Sequence, residues 1–480
     1  MKNVIIDTKK KINRATSVIF IVQLFGALGA GFFFVIQNLF GVEHILGALE
    51  PQNENILWFI LFWATDFFYI AFTLILSYTI AGLPAVAPAL ALSVYFAHFA
   101  GTPVSGEDMY FAYFATPANG GGGVNIGYMG YLIMALVLSL LIKYLFAGYD
   151  HLKRVWGRGI DRKLDKMRAK NSKIPKDLTG LAILDNIDLI VLILILPVAS
   201  AALTWLLIRY GIQIPFAALG EALAAPLQSL SGFSVILTGI VFGLMIGFDL
   251  IGPVSMAAFG VAVAAFLDGN AQLMTIYGAC FITIGWIPLG AVILQKITKK
   301  GGSCDTDDFN LAVSGPINAF FENVKLTVAF SMPYAYRSPF TVIPGYMIGS
   351  AFTGLITALC GIVNTDYLNT LPKYGNGATF EQLFTQGEYY ISFTLPLRSG
   401  DWLTCRIPLF FIILLGAVVG GAAILLFKEL AARGAKKRGT YVESNGDIVI
   451  EIRQLARHYL AEIRNDKQDN KSNGKEEHPL

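Results

Sequence analysis

The chain has 480 residues, of which 55% are hydrophobic and 14% are charged, and its mean hydropathy is +0.59. Soluble domains carry about 25% charged residues, so this composition excludes a soluble protein and indicates a chain embedded in a lipid bilayer. The net charge of +3 is too small to indicate a nucleic-acid-binding protein. The four cysteines lie far apart, so we expect neither a disulfide framework nor a metal site, and no cofactor motif is present.

Clusters of lysine and arginine predict which ends of the apolar segments face the cytoplasm. The first apolar segment, 15–40, follows a basic stretch, and the loop 148–180 carries ten lysines and arginines against four aspartates. Basic groups also follow the apolar segments that end near residues 294 and 427. Because cytoplasmic loops are rich in lysine and arginine, we expect about ten crossings with both termini in the cytoplasm. The basic loop itself contacts lipid headgroups or, alternatively, forms a docking surface for a soluble partner.

Some apolar segments are short or interrupted, which predicts re-entrant hairpins among the full crossings. Segment 83–101 opens with Pro84 and Pro88, and it either just crosses the bilayer or dips into it and returns. Asp66 interrupts segment 56–80, where it either lines a cavity or pairs with a polar group on a neighbouring helix. The fold class is therefore an all-α polytopic membrane protein.

A short break separates two apolar runs, 233–248 and 254–266. Asp249 lies in this break, just ahead of Gly252 and Pro253. The simpler interpretation is a turn in which Asp249 caps the second helix. The alternative is unwound backbone that, together with the carboxylate, faces a polar ligand.

The stretch 315–350 combines an apolar composition with prolines and charges. Proline interrupts the helical hydrogen-bond ladder, and a charge within the membrane needs a partner or a ligand. Freed carbonyl groups at that depth must face protein or a water-filled cavity. The stretch therefore predicts a solute site; the alternative is a linker or re-entrant loop whose charges pair with one another. The residues concerned are Pro316, Pro333, Pro339, Pro344, Glu322, Lys325 and Arg337.

Charge and hydropathy divide the chain into three parts. Residues 1–14 form a cytoplasmic segment, residues 15–430 a transmembrane domain, and residues 431–480 a charged cytoplasmic tail. The end of this tail is polar and highly charged, so we expect it to be partly disordered.

One part of the transmembrane domain resembles the membrane (IIC) component of the fructose class of bacterial sugar phosphotransferase systems. The most specific similarity is GLMIGFDLIGPVSMAA, within residues 221–266. The stretches LPAVAPALALS, NIGYMGYLIMALVLSLLIKYL and RSPFTVIPGYMIGSAFTGL agree with the family in order and spacing. The resemblance extends over most of the apolar region.

The resemblance implies a function and its partners. A IIC component binds a sugar from outside and carries it inward, where a soluble IIB domain phosphorylates it from a phosphocysteine. We therefore expect a fructose-like sugar or polyol as substrate, separate IIA and IIB proteins, a homodimer, and the cell membrane of a bacterium. The expected substrate-binding residues are Asp249, Gly252, Pro253, Ser255, Glu322, Asn323 and Arg337.

The chain departs from the family pattern at positions that bear on phosphorylation. Ser255 stands where an asparagine is usual, and Ala329 and Phe330 stand where the glutamate and glycine of the second signature are expected. Ser338 replaces an aspartate. The sugar-binding carboxylate has therefore either moved to Glu322 or been lost. A carrier or sensor of the same fold, which does not couple transport to phosphorylation, is the alternative function.

Overall fold

The computed structural model describes residues 5–19, 68–96, 126–169, 179–215, 218–219, 234–364 and 401–442, with short gaps at 251, 268, 303, 305 and 321–323, and the single residues 3, 222 and 454. These residues form helices joined by short turns, which confirms the prediction of an all-helical polytopic protein. Numbered in chain order, the described helices are α1 (5–19), α2 (Phe68–Ala81), α3 (Val86–Val94), α4 (Gly127–Arg168), α5 (Gly180–Ile190), α6 (Leu196–Ile208), α7 (Val235–Phe248), α8 (Pro253–Leu267), α9 (Ala271–Thr298), α10 (Thr306–Phe320), α11 (Val324–Arg337), α12 (Pro339–Leu359) and α13 (Ile407–Arg438).

Several of these helices are long and apolar enough to cross a membrane. In the described part of the chain the candidates are Met129–Arg168, Val191–Gln213, Ala271–Thr298, Pro339–Leu359 and Trp402–Arg438. The chain is therefore a multi-pass membrane protein. The larger number of about ten crossings stays a prediction, because other predicted segments, including the one that carries Asp66, lie outside the described residues.

Helix α12 lies at the centre of the described bundle and packs closely against α7, α9 and α13. Gly239, Gly243 and Gly247 repeat every four residues along one face of α7, where they meet the backbone of α12 between Tyr346 and Gly354. Small residues at this spacing allow two helices to approach at backbone distance. Contacts of the same kind join α12 to α13. The centre of the bundle is thus built on backbone contacts between glycines.

The order of these contacts gives the relative direction of the helices. Along α7 the contacts advance from Gly239 to Gly247 while those along α12 retreat from Gly354 to Met347, so α12 is antiparallel to α7. It is antiparallel to α13 in the same way. Helices α9 and α13 run in the same direction, and both end in lysine clusters. This agrees with the cytoplasmic ends predicted from charge.

Two pairs of short helices, of which α7 and α8 are apolar, lie among the long ones. Helices α7 and α8 have 14 and 15 residues, and α10 and α11 have 15 and 14. At 1.5 Å per residue each is about 22 Å long, which is shorter than the roughly 30 Å hydrocarbon core of a bilayer. Both pairs have the dimensions of re-entrant hairpins, and their position in the membrane stays a prediction.

Two sequence-based expectations were wrong in detail. The stretch from Gly148 to Arg168, predicted as loop, continues α4 as one helix of 42 residues. Ion pairs such as Arg154 with Asp150 support this polar extension. In the stretch 315–350, Pro316, Pro333 and Pro344 lie inside helices and do not mark the breaks.

Within the described residues of that stretch, the break lies at Ser338, between α11 and α12. Of the four prolines, only Pro339 lies at the start of a helix. N–H groups in the first turn have no acceptor within the helix, so the N–H that proline lacks costs no hydrogen bond there. Packed neighbouring helices let the interior prolines remain in helical backbone. All four cysteines are free in this structure.

Candidate functional site

Asp249 lies in the turn between α7 and α8 and is only 2% exposed. Its Oδ2 accepts a hydrogen bond of 2.9 Å from the backbone N–H of Val254, in the first turn of α8. Ser255 Oγ donates to the carbonyl oxygens of Asp249 and Gly252, each at 3.0 Å. The carboxylate therefore caps α8, as the simpler sequence interpretation predicted. Four of the predicted site residues, Asp249, Gly252, Pro253 and Ser255, lie together here.

The second carboxylate oxygen of Asp249 has a different environment. Oδ1 is buried and has no hydrogen-bond partner among the described residues. It faces Gly127, the first residue of α4, where a Cβ would lie 2.6 Å from it. Gly127 adopts a φ of +67°, which favours glycine. Gly127 at the start of α4 and Val254 in the first turn of α8 thus lie beside the two oxygens of one carboxylate.

Arg337, the last residue of α11, is buried in a network of polar side chains. Its Nη1 donates to Asp308 Oδ1 at 2.7 Å, and its Nη2 lies 3.8 Å from Asp307 Oδ2. On α1, Thr16 Oγ1 accepts from Nε at 3.2 Å and Ser17 Oγ contacts Nη2. Ser17 Oγ in turn donates to Asp307 Oδ2 at 2.8 Å. The network joins the start of α10, the end of α11 and the N-terminal helix.

This network limits what Arg337 does in this conformation. All three nitrogens of the guanidinium already donate to or contact a protein oxygen. A phosphoryl group would have to displace one of these partners. Arg337 is thus paired within the protein, but with Asp307 and Asp308, which precede the stretch 315–350 and are not the charges that the alternative interpretation paired with one another.

A second polar contact lies near this network. Lys428 of α13 donates to the hydroxyl of Tyr334 at 2.8 Å, and its Nζ lies 4.4 Å from the centre of that ring. Tyr336, one residue before Arg337, stacks on Phe72 of α2 with ring centres 4.3 Å apart. The end of α11 is therefore fixed by α1, α2, α10 and α13 together.

The Asp249 turn and the Arg337 network lie at different levels along the bundle. Gly247, just before the turn, packs on Tyr346 and Met347, about two helical turns after the start of α12, which is roughly 12 Å. Arg337 lies immediately before that start. Glu322 and Asn323 fall in the segment that joins α10 to α11 and lie outside the described residues. The structure thus groups the residues around Asp249 and places Arg337 with other partners.

The sequence alone did not single out Asp307, Asp308, Thr16 or Ser17. A usable signal was present, because a buried arginine in an apolar stretch requires a counter-charge. The adjacent acidic residues Asp307 and Asp308 are the first such pair upstream of Arg337. No group of three or more histidine, cysteine, aspartate or glutamate side chains converges on a possible metal position in the described ranges.

Comparison with known proteins shows the relationship that the geometry alone leaves open. The chain is 28% identical over 189 residues to the PTS system fructose-specific EIIB'BC component of Rhodobacter capsulatus, covering 39% of this chain and 30% of that protein. It is 27% identical over 169 residues to the fructose-like permease IIC component 2 of Escherichia coli, covering 35% of this chain and 45% of the relative. This chain is a distant homologue of fructose-class phosphotransferase IIC components.

A further relative, the fructose permease IIC component of Bacillus amyloliquefaciens, is 27% identical over 169 residues, which cover 34% of this chain and 51% of the relative. The matches thus extend over about a third to a half of the relatives' length. No family model matches the chain, and no solved structure does. The homology, together with the long apolar helices, places the chain in the bacterial cell membrane.

Proposed function

We propose that this chain is the sugar-permease (IIC) subunit of a phosphotransferase system. It binds a fructose-like sugar or a related polyol within the membrane and carries it inward, where a separate IIB protein phosphorylates it. The observation that carries the proposal, beside the homology, is the Asp249 carboxylate. Its Oδ1 is buried without a partner in the described bundle, and such a group in an apolar setting is costly unless it serves a ligand.

The local geometry gives each residue of the Asp249 turn a role. Oδ2 keeps the start of α8 in place through Val254, while Oδ1 accepts a hydrogen bond from a sugar hydroxyl. Ser255 holds the turn through two carbonyl oxygens. Gly127 closes off Oδ1 in the present conformation, so the sugar reaches it when α4 and the turn separate. We propose Glu322 and Asn323 as further hydroxyl partners.

The proposed organisation follows from this function. Residues 15–430 form the permease domain, and residues 1–14 and 431–480 face the cytoplasm. The phosphoryl donor is a soluble IIB protein supplied by a IIA protein, and the permease acts as a homodimer in the cell membrane. Arg337 supports the incoming phosphoryl group once it releases Asp308.

A second candidate function is a carrier or sensor of the same fold that does not couple transport to phosphorylation. Two observations favour it. Arg337 is already bonded to Asp308 and hydroxyl groups, and Ser338 and Ala329 stand where the family has acidic residues. Without a free base or cation near the sugar, phosphoryl transfer loses its orienting groups.

Proteoliposomes distinguish the two functions. A phosphorylated IIB protein is enclosed in the vesicles, and labelled fructose is added outside. We expect labelled fructose phosphate to accumulate inside. Only permease molecules whose cytoplasmic side faces the vesicle interior meet fructose on one side and the phosphorylated IIB protein on the other. Free fructose inside would favour the uncoupled carrier. If neither fructose phosphate nor fructose accumulates inside, and a panel of other hexoses and polyols is not taken up either, both proposed functions are excluded.

Asp249→Asn tests the site in the same assay. The amide oxygen still caps α8, so we expect the protein to fold, while loss of the charged acceptor reduces uptake about tenfold or more. Asp401→Asn is the matched control, since Asp401 also caps a helix, through Leu403 and Thr404, but at an exposed position. Equal uptake by both variants would remove Asp249 from the sugar site.

A further inference from the structure

The basic segment that follows the membrane part of α4 is a rigid helical projection. Lys153 of α4 contacts the carboxylates of both Asp185 and Asp188 on α5. Tyr149 Oη donates to Asp188 Oδ1 at 2.7 Å. Farther out, the backbone N–H of Gly180 donates to Asp161 Oδ1 at 2.6 Å. We call residues 148–168 of α4, together with α5, the stalk.

One face of the stalk carries a row of unneutralised cations. Arg158, Arg162 and Lys166 repeat every four residues and are exposed; we call these three the cationic ridge. None of them has a carboxylate partner within the described residues, whereas Arg154, one turn earlier, pairs with Asp150. Like charges four residues apart on a helix repel one another. Asp161 and Asp165 flank the ridge, but Asp161 accepts from Gly180 and Asp165 pairs with Arg168. The ridge therefore keeps a net positive charge, which favours an acidic surface against it.

Exposed apolar side chains accompany the ridge. Val155 is 41% exposed, Trp156 55% and Met167 47%. Val155, three residues before Arg158, lies on the ridge face, whereas Trp156 and Met167 lie about 120° or more around the helix from it. Arginine is among the residues most enriched in those that dominate binding energy in protein interfaces. Arginines beside an exposed apolar side chain have the composition of a protein-docking surface.

The distance of the ridge from the apolar part of α4 decides whether its partner is lipid or a soluble protein. The ridge begins twelve residues after Phe146, the end of the apolar stretch of α4, and finishes twenty residues after it. At 1.5 Å per residue these positions lie about 18–30 Å along the axis. The headgroup layer on each side of a bilayer is only about 5–8 Å thick. The ridge therefore lies beyond the headgroups, and an acidic soluble protein is the occupant that fits.

We propose that the cationic ridge docks an acidic face of the soluble IIB phosphoryl donor. This inference rests on the proposed function and adds the surface at which the donor binds. The ridge holds the donor by charge, and Val155, exposed on the same helical face, supplies the apolar contact beside it. The firm attachment of α4 to α5 keeps this surface in a fixed position relative to the membrane domain.

The test uses the full chain in nanodiscs and, as probe, the IIB part of the Rhodobacter capsulatus EIIB'BC component. A triple variant with Arg158→Gln, Arg162→Gln and Lys166→Gln is compared with the wild-type chain for the Kd of the probe. The matched control is the triple variant Lys300→Gln, Lys437→Gln and Arg438→Gln, which removes three exposed charges at the cytoplasmic ends of α9 and α13.

We expect the ridge variant to raise the Kd about tenfold at low salt, since exposed charge pairs contribute modestly and three are lost together. The difference should shrink at high salt because the interaction is screened. Wild-type and control chains should bind alike, and unchanged thermal stability of both variants serves as the folding check.

Other outcomes overturn the inference in distinguishable ways. If the wild-type chain binds and phosphorylates sugar but the ridge variant binds the probe equally well, the docking surface is elsewhere and the proposed function stands. An equal loss in both triple variants would indicate general attraction between charges. A difference that disappears in nanodiscs without anionic lipid would assign the ridge to lipid. If the wild-type chain neither binds the probe nor phosphorylates sugar, the proposed function fails and the inference fails with it.

Discussion

At the scale of single residues, burial decides which charges need partners. Arg337 is 7% exposed, and Asp307 and Asp308 are 3% and 4% exposed. Removing charges from water costs several kcal/mol for each ion, and close pairing offsets that cost. Asp249 is equally buried, and its Oδ1, like Oδ1 of Asp307, has no hydrogen-bond partner in the described residues. Unlike Asp307, which lies beside Arg337, Asp249 forms no ion pair with any described cation. The first network stabilises the fold, and the second group is the one we assign to a ligand.

Arg337→Met should strongly destabilise the protein. It leaves the carboxylates of Asp307 and Asp308 buried without their cation, which costs about 3–5 kcal/mol. Thermal unfolding of the purified protein in detergent measures the effect. Adding Asp307→Asn and Asp308→Asn to that variant should recover part of the loss, because the uncompensated charges are removed. A single Arg337→Met variant as stable as wild type would show that the network contributes nothing to folding.

At the scale of helices, the glycines of α7, which have no side chain, determine how closely α7 packs against α12. Gly243 of α7 touches the backbone of Ser350 and Ala351 in α12, so even one added carbon has no room. Alanine is intrinsically the better helix former by about 1 kcal/mol. The change in stability caused by Gly→Ala therefore shows whether there is room for a methyl group. It is a loss where the neighbouring helix fills the space and a gain where the space is open.

Gly243→Ala should lower thermal stability, because overpacking costs about 1–3 kcal/mol and exceeds the gain in helix propensity. Gly278→Ala in α9 is the control, since no atom lies within 4 Å of an added Cβ there. We expect this second variant to be as stable as wild type or slightly more stable. Melting of the two variants side by side checks the prediction. Equal behaviour would contradict the close approach of α7 and α12.

At the scale of the whole molecule, α1 and the C-terminal part of α13 lie on one side of the described bundle. Ser17 of α1 bonds to Asp307. Burial lowers the pKa of Lys9; Tyr441, just after α13, raises it, and the ammonium of Lys428 in α13 lowers it. Both segments are flanked by basic residues, so charge and structure agree in placing them together. The opposite side of the bundle is where α12 ends at Leu359.

This arrangement predicts opposite labelling of two positions on intact cells. Cys360 is exposed after the end of α12, so a membrane-impermeant maleimide should label it from outside in a chain whose other cysteines are serine. A Gly159→Cys variant with Cys360→Ser places the thiol on the exposed stalk and should react only after the cells are opened. Reversed reactivity would invert the proposed topology.

Much of the fold was predictable because hydropathy and charge are local properties of the sequence. The apolar runs 233–248 and 254–266 correspond to α7 and α8, and the predicted turn with a capping Asp249 is present. The lysine clusters predicted that the C-terminal ends of α9 and α13 lie on the same side of the bundle, as the structure has them. The polar part of α4 was predicted as a loop because it lacks an apolar pattern. It is helical because ion pairs between residues one turn apart stabilise a helix without hydrophobic burial.

Amino-acid order by itself determined the membrane class, the positions of the basic flanks and the residues of the Asp249 turn, since each depends on composition within a short window. Only the tertiary structure decided which groups those residues meet. Arg337 pairs with Asp308 and with Thr16, which is more than three hundred residues away, and Gly127 closes over Asp249 from another helix. Such partners are selected by packing among helices distant in sequence, and no local pattern records them.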